Sequence, residues 1–155
     1  MIRKITKKDH QNVIGIINEN IKYFWQEIKG DELIGKIDPP SYLNYLIKNF
    51  QDDKLVGWIY EENKEIKGMC LFYITYEIFT NIYILKELFW YMKPESRKSV
   101  TSYRLVKKAE EFAKENDIQY VSMMHMAYPN PEKLKDFYIK MGYHMVQTEY
   151  FKKIA

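Results

Sequence analysis

ELFWYMKPESRKSVTSYRLVKKAEEFA, residues Glu87–Ala113, holds a strand, a stop and a helix in that order. Glu87–Lys93 is dense in aromatic and branched residues, which suit a pleated, half-buried strand. Pro94 ends the strand because it has no N–H to give a ladder. From Ser99 onward the apolar residues Val100, Tyr103, Val106, Ala109, Phe112 and Ala113 recur at helical spacing. The turn Glu95–Ser99 therefore brings a helix N-terminus just past a strand end. Unpaired backbone N–H groups and the positive end of the helix dipole favour an anion such as phosphate there. Arg97, Lys98, Ser99 and Ser102 add donors at the same place. An ordinary strand–turn–helix with a solvated basic turn gives the same pattern, and most such turns bind nothing.

Working outward, the whole chain of 155 residues has the length of one domain, 1–155, able to bury a substantial core. A net charge of +3, dispersed along the chain, argues against a nucleic-acid partner. Cys70 is the single cysteine, so no disulfide framework exists and a reducing compartment is expected. No apolar run reaches bilayer-spanning length, and Met1–Lys8 leads into a helix rather than a signal-peptide core. The expectation is a cytoplasmic protein with no membrane partner.

On the N-terminal side, Ile2–Ile5 reads as a short strand. Thr6 and Asp9 form a weakened capping box before a helix carrying Val13, Ile16, Ile17 and Ile21, expected to end near Asn18–Asn20. Ile21–Asp38 is mixed, and Pro39-Pro40-Ser41 opens a second helix with Tyr42, Leu43, Leu46, Ile47 and Phe50 on its apolar side. Lys54–Glu61, Glu65–Thr80 and Ile82–Met92 read as an antiparallel meander joined at Glu62-Asn63-Lys64 and at Thr80-Asn81. Glu77 interrupts the apolar run of the middle strand, and a bulge or break is expected there.

On the C-terminal side, the helix Ser99–Glu115 is set off by Asn116-Asp117 from a strand over Ile118–Met126. Such a strand–helix–strand unit makes a parallel pair with a right-handed crossover. Asn130-Pro131-Glu132 combines an N-cap, a proline at the first helical position and an acid in the first turn. That helix carries Leu134, Phe137, Tyr138 and Met141 and stops at Gly142. The alternation over Tyr143–Ile154 predicts a closing strand.

Pro94-Glu95-Ser96-Arg97 before a helix resembles the acyl-CoA loop of the GNAT superfamily of N-acetyltransferases, Pro-Glu-x-Arg-Gly-x-Gly-x-Gly/Ala. Lys98, Val100 and Ser102 stand where glycines are usual. Asn130-Pro-Glu-Lys-Leu-Lys-Asp-Phe-Tyr138-Ile-Lys-Met-Gly142-Tyr143 resembles the same family's Asn…Leu-Tyr-x-x-x-Gly-Phe ending. The element order β-α-α-β-β-β-α-β-α-β is also that of a GNAT domain. The fold class implied is α/β (α+β). Its mixed central sheet is mostly antiparallel, with a parallel pair of fourth and fifth strands that splays and helices on both faces.

The resemblance implies acetyl-CoA as acyl donor and an amine as acceptor, either a small molecule or a protein, and a homodimer is an open alternative. Backbone groups of Tyr91, Met92 and Lys93 would lie beside the pantetheine arm. The amides of Lys98, Ser99, Val100, Thr101 and Ser102 would hold the pyrophosphate, with Arg97 and Lys98 adding charge-assisted bonds. Asn130 would complete the cofactor-binding set. A loop without glycines approaches phosphate less closely, so a non-catalytic acyl-CoA-binding or protein-interaction module with the same fold is the rival.

Acetyl transfer needs a group to take the amine's proton and another to protonate the departing thiolate. Tyr138 matches the family's catalytic tyrosine and is the acid candidate, against a tyrosine that merely packs its ring. Glu87, read as lying on the same strand face as Phe89 and Tyr91, is the base candidate, directly or through water. A solvated strand-end acid is the alternative, and His125 and His144 are rivals. Backbone N–H near Tyr91 is the natural oxyanion donor. Cys70, within Met69–Ile74, reads as a buried small hydrophobe rather than a nucleophile. Phe24, Trp25, Phe89 and Trp90 read as core or as an acceptor pocket. The three histidines and one cysteine show no metal-ligand spacing, so no metal is expected. Polyamine, aminoglycoside, peptide N-terminus and protein lysine all stay open as acceptors, to be chosen by Asn18–Phe50.

Overall fold

A computed structural model describes residues 1–97, 100–127, 129–152 and 154, and its sheet grows from one tight turn. Asn63 and Lys64 both adopt left-handed backbone angles, φ 52° and 64°. This is the geometry that joins two right-twisted strands through a two-residue loop. It fixes the register of β2 (Leu55–Glu62) against β3 (Glu65–Glu77), with Glu62 opposite Glu65. β1 (Ile2–Lys4) flanks β2, and β4 (Ile82–Met92) returns antiparallel to β3. β5 (Tyr120–Ser122) runs parallel to β4, giving the order β1-β2-β3-β4-β5.

β3 stops at Glu77, where its apolar run was broken in the sequence. Its register against β2 slips between Tyr60 and Glu61, leaving Lys67 as the extra residue. A second slip lies in β4: Leu71 faces Phe89 but Phe72 faces Glu87, so Leu88 is extra. A bulge of this kind bends and twists the strand that carries it.

α4 (Val100–Glu115) covers one sheet face. Val56, Trp58, Cys70, Phe72, Leu85 and Met92 from the sheet pack with Leu105, Ala109 and Ala113 from the helix. The small side chains of Ala109 and Ala113 let the helix approach the strands closely. Val100 and Tyr103 were expected on this apolar face but are exposed, and Leu105, fully buried, takes their place. The stripe is centred on Leu105, Val106 and Ala109, about a third of a turn away from Tyr103. Pairs Lys107–Glu110 and Lys108–Glu111 decorate the outer side. The helix ends where Ile118 N–H returns to the Ala113 carbonyl at 2.9 Å and Asp117 turns left-handed.

The chain divides into two units, and everything above belongs to Met1–Gln11 with Leu46–Met123. The second consists of Asn12–Tyr45 with Met124–Ala155. α1 (His10–Glu27) is longer than its expected end near Asn18–Asn20. No breaker intervenes before Lys29, whose left-handed φ of 55° ends the run ahead of α2 (Gly30–Leu33). Gly30 is required there: a Cβ would lie 2.3 Å from Trp25 Cε2. Trp25 Nε1 also donates to the Gly35 carbonyl at 2.7 Å, closing the turn. α3 (Pro39–Gln51) begins at its double proline. Tyr42 at its start donates to Asn18 Oδ1 at 2.5 Å.

α5 (Pro131–Lys140) starts after Asn130 and ends at Gly142, φ 90°, as the residue types predict. Residues 143–152 and 154 form no strand, contrary to the expected closing strand. Val146 and Tyr150 are more than nine-tenths exposed. Alternation is only a capacity to pair, and no ladder partner takes it up. The strand expected over Ile118–Met126 is likewise shorter, three residues long.

Candidate active site

β4 is paired with β3 along its length but with β5 only from Ile84 to Lys86. Beyond Lys86 the two parallel strands no longer share a ladder, while β4 continues six residues to Met92. The last shared pair, Lys86 with Ser122, lies two residues before the Leu88 bulge, so the irregular part of β4 is the part that has left the β5 ladder.

That bulge decides where Glu87 lies. Simple alternation had put Glu87 on the face of Phe89 and Tyr91. The register shift puts it opposite Phe72, while Phe89 and Tyr91 sit opposite Leu71 and Met69. Adjacent β3 residues point to opposite faces, so Glu87 shares the α4 face with Leu85 and Phe72. Phe89 and Tyr91 stack on the other face with ring centroids 6.2 Å apart. Glu87 is buried, 8% exposed. Its charge reaches Cys70: burial pushes that thiol up first, and the neighbouring carboxylate pushes it further. Cys70 Sγ–H points to the Leu105 carbonyl at 3.6 Å, inside the core, as a structural thiol would.

At the strand end, Lys93 N–H donates to the Lys67 carbonyl at 2.9 Å. A short 3-10 turn, Pro94–Ser96, follows, closed by Ser96 N–H to the Lys93 carbonyl at 2.8 Å. Arg97 then folds back, and its Nε donates to the Met92 carbonyl at 3.1 Å. Around this turn Lys67 pairs with Glu65 at 2.6 Å and with Glu95 at 3.6 Å, and Lys93 also pairs with Glu65. The two ammonium groups hold the Glu65 carboxyl down to about 2.

Lys98 and Ser99 lie outside the described residues. Of the amides expected to hold phosphate, those of Val100, Thr101 and Ser102 form the first turn of α4. That turn carries no acid of its own. The Val100 side chain is 65% exposed and turned to solvent. Thr101 meets the Tyr60 hydroxyl, which donates to Glu62 at 3.0 Å. That bond, with burial behind it, pushes the Tyr60 phenol up. Sequence reasoning missed both Tyr60 and the Glu65–Lys67–Lys93–Glu95 cluster. The cluster's signal in the sequence was two charges at the start of β3 and two just past the end of β4.

Tyr138 and Asn130 belong to the second unit, on and before α5. The Tyr138 ring is buried, tilted against Tyr143 at 5.9 Å, and its hydroxyl donates to the Met124 carbonyl at 2.8 Å. Asn130 occupies the N-cap position without a side-chain capping bond. His125 and His144, the rival bases, are both exposed. Phe24 and Trp25 lie on α1 in the second unit, and Phe89 and Trp90 on β4 in the first. Among the described residues, no group of three or more His, Cys, Asp or Glu is placed to hold a metal, and no helix is long and apolar enough to cross a membrane.

The family model described as Acetyltransferase (GNAT) family matches residues 9–143. The chain belongs to the GNAT acetyltransferase family. Solved structures agree on the fold. A "probable acetyltransferase" superposes with TM-score 0.74 at 15% identity, covering 100% of this chain and 98% of the other. A predicted acetyltransferase with acetyl-CoA from Clostridium acetobutylicum gives 0.72 at 19% identity, covering 100% and 95%. The ribosomal-protein-alanine N-acetyltransferase from Brucella melitensis biovar Abortus 2308 gives 0.70 at 12% identity, covering 99% of each chain. No curated protein sequence matches the chain. Membership in the GNAT family makes the chain an acyltransferase by kind, and acetyl-CoA is the co-substrate that this family uses.

Proposed function

We propose that this chain transfers the acetyl group of acetyl-CoA directly to a primary amine. The observation that carries the reading is the parting of β4 from β5 after Lys86, with the acid-free entry of α4 directly downstream. A strand edge of this kind can take a ligand's amides as it would a neighbouring strand. The helix entry can take the phosphates, with Arg97, Lys98 and Ser99 alongside Val100, Thr101 and Ser102. Tyr91, Met92 and Lys93 line the strand side, and Asn130 completes the set.

In the reaction the amine nitrogen attacks the thioester carbon, the C–N bond forms and the C–S bond breaks. Glu87 takes the amine's proton, directly or through water. Its burial among Phe72, Leu85 and Cys70 supports that role, because a carboxylate stripped of water gains from accepting a proton. Tyr138 gives its proton to the departing sulfur. For the acceptor, Asn18, Glu19, Lys22, Tyr23, Gln26 and Pro39 line an open groove of about 660 Å³ in the second unit. An acid beside a tyrosine ring suits a cationic amine.

The rival reading, a CoA-binding module without turnover, draws on one observation: Lys98, Val100 and Ser102 replace the family's glycines. Thiol release from acetyl-CoA, followed over polyamines, aminoglycosides, peptide N-termini and lysine peptides, separates the two. Amine-dependent release is expected for at least one class. Donor binding without release across the panel would favour the rival.

A further inference from the structure

Among the described residues, three cations gather at the turn after β4, Lys67 reaching it from β3, and they are held differently. Lys67 and Lys93 are engaged by the carboxylates of Glu65 and Glu95. Arg97, exposed at the surface, donates its Nε to a neutral carbonyl, that of Met92. Which carbonyl this is matters. Lys93 N–H is bonded to β3 through Lys67, and backbone groups of successive residues in an antiparallel strand point to alternate sides. The Met92 carbonyl therefore faces away from β3, toward the side where the β5 ladder has already ended. A ligand that adds itself to β4 as a strand must meet this acceptor, and Arg97 covers it.

A guanidinium prefers a phosphate to an amide oxygen, because the planar fork makes two charge-assisted bonds at once. We propose that Arg97 is a specificity-determining latch, resting on the donor-site reading above. It caps the Met92 carbonyl until an anionic group draws the guanidinium away, so β4 accepts phosphorylated acyl carriers and disfavours uncharged thioesters of the same arm. The donor's two ends are then coupled through one side chain: phosphate binding uncovers the strand, and strand binding frees the guanidinium for phosphate. Such coupling is reciprocal by necessity. Lys67 and Lys93 do not substitute for Arg97, since releasing either would break an ion pair.

The test uses isothermal titration of the full chain and its Arg97→Ala variant with three probes: CoA, ADP as the anionic half and pantetheine as the uncharged half. Arg97 is exposed, and the variant is expected to keep its melting temperature. The unaltered chain should bind pantetheine about three- to tenfold more tightly when ADP is present, the net size of one ordinary hydrogen bond at an exposed site. Arg97→Ala should bind pantetheine about as much more tightly without ADP, lose the ADP effect and bind ADP itself more weakly. Equal pantetheine affinities in the two chains, or no pantetheine binding to either, would overturn the latch while leaving the donor site standing. No binding of CoA to the unaltered chain would overturn the donor-site reading and the latch with it.

Discussion

Asp9 shows how much one carboxylate can organise. It is buried and accepts from Arg3 Nη1 at 2.8 Å and Nη2 at 2.9 Å, from Thr6 N–H at 2.8 Å and from Thr6 Oγ1 at 2.7 Å. Arg3 above all holds its carboxyl well below the usual carboxylate range, with the Thr6 bonds assisting against burial. A carboxyl lowered in the folded chain is protonated more readily in the unfolded one. Its stabilisation is therefore complete at neutral pH and is lost as pH falls below about 4 toward the folded value. Asp9→Asn is expected to cost about 1–2 kcal/mol at pH 7, discounted because Arg3 is a third exposed to water. Melting curves should show the gap between variant and parent narrowing from pH 5 to pH 2. A gap that stayed constant would assign the loss to packing. Tyr138 poses a sharper choice, because its hydroxyl already has a structural partner in the Met124 carbonyl. If it is the proton donor, Tyr138→Phe should lower turnover about a hundredfold with unchanged CoA affinity. A stability loss of about 1 kcal/mol with unchanged turnover would leave only the structural bond.

Among the elements, β4 has most influence on the site, and its bulge is the part residue patterns did not reveal. Leu88 sits in an unbroken apolar and aromatic run with no glycine or proline to mark it. The extra residue is set by how β4 meets β3, a property of the pair rather than of either strand. Alternation counted through Leu88 therefore put Glu87 on the wrong face, whereas the strand's limits, Ile82 and Met92, were readable from Pro94 and the preceding turn. Deleting Leu88 leaves each remaining residue opposite its present β3 partner, with Glu87 across from Phe72 and Phe89 across from Leu71. The shortened chain is thus expected to fold cooperatively, with a flatter β4 that stays alongside β5 for longer. It should lose the melting shift that acetyl-CoA gives the parent. A retained shift would mean that the parting of the strands does not depend on the bulge.

At the scale of the whole molecule, what was legible were the boundaries carried by special backbone chemistry. Asn63-Lys64, Pro39, Pro94, Pro131 and Gly142 each announce a turn or terminus by what their φ angles permit, and each appears where expected. Features that depend on distant partners were not legible: the length of α1, the non-strand course of residues 143–152, and the return of Arg97 to Met92. The family was readable because two partial motifs lay in order on opposite sides of a strand, so missing glycines in one did not remove the other. Whether those missing glycines matter is a question of affinity, and affinity is measurable through the stability of the entire fold. A ligand that binds only the folded chain at a hundred times its dissociation constant adds about 2.7 kcal/mol. At about 2–4 °C per kcal/mol for a chain of this size, saturating acetyl-CoA should raise the melting temperature by roughly 5–10 °C. A smaller rise that grows with ligand concentration would indicate a loop that binds more weakly for want of glycine. No rise at any concentration would remove the transferase and the CoA-binding module together, because both need the thioester's carrier seated on β4 and the entry of α4.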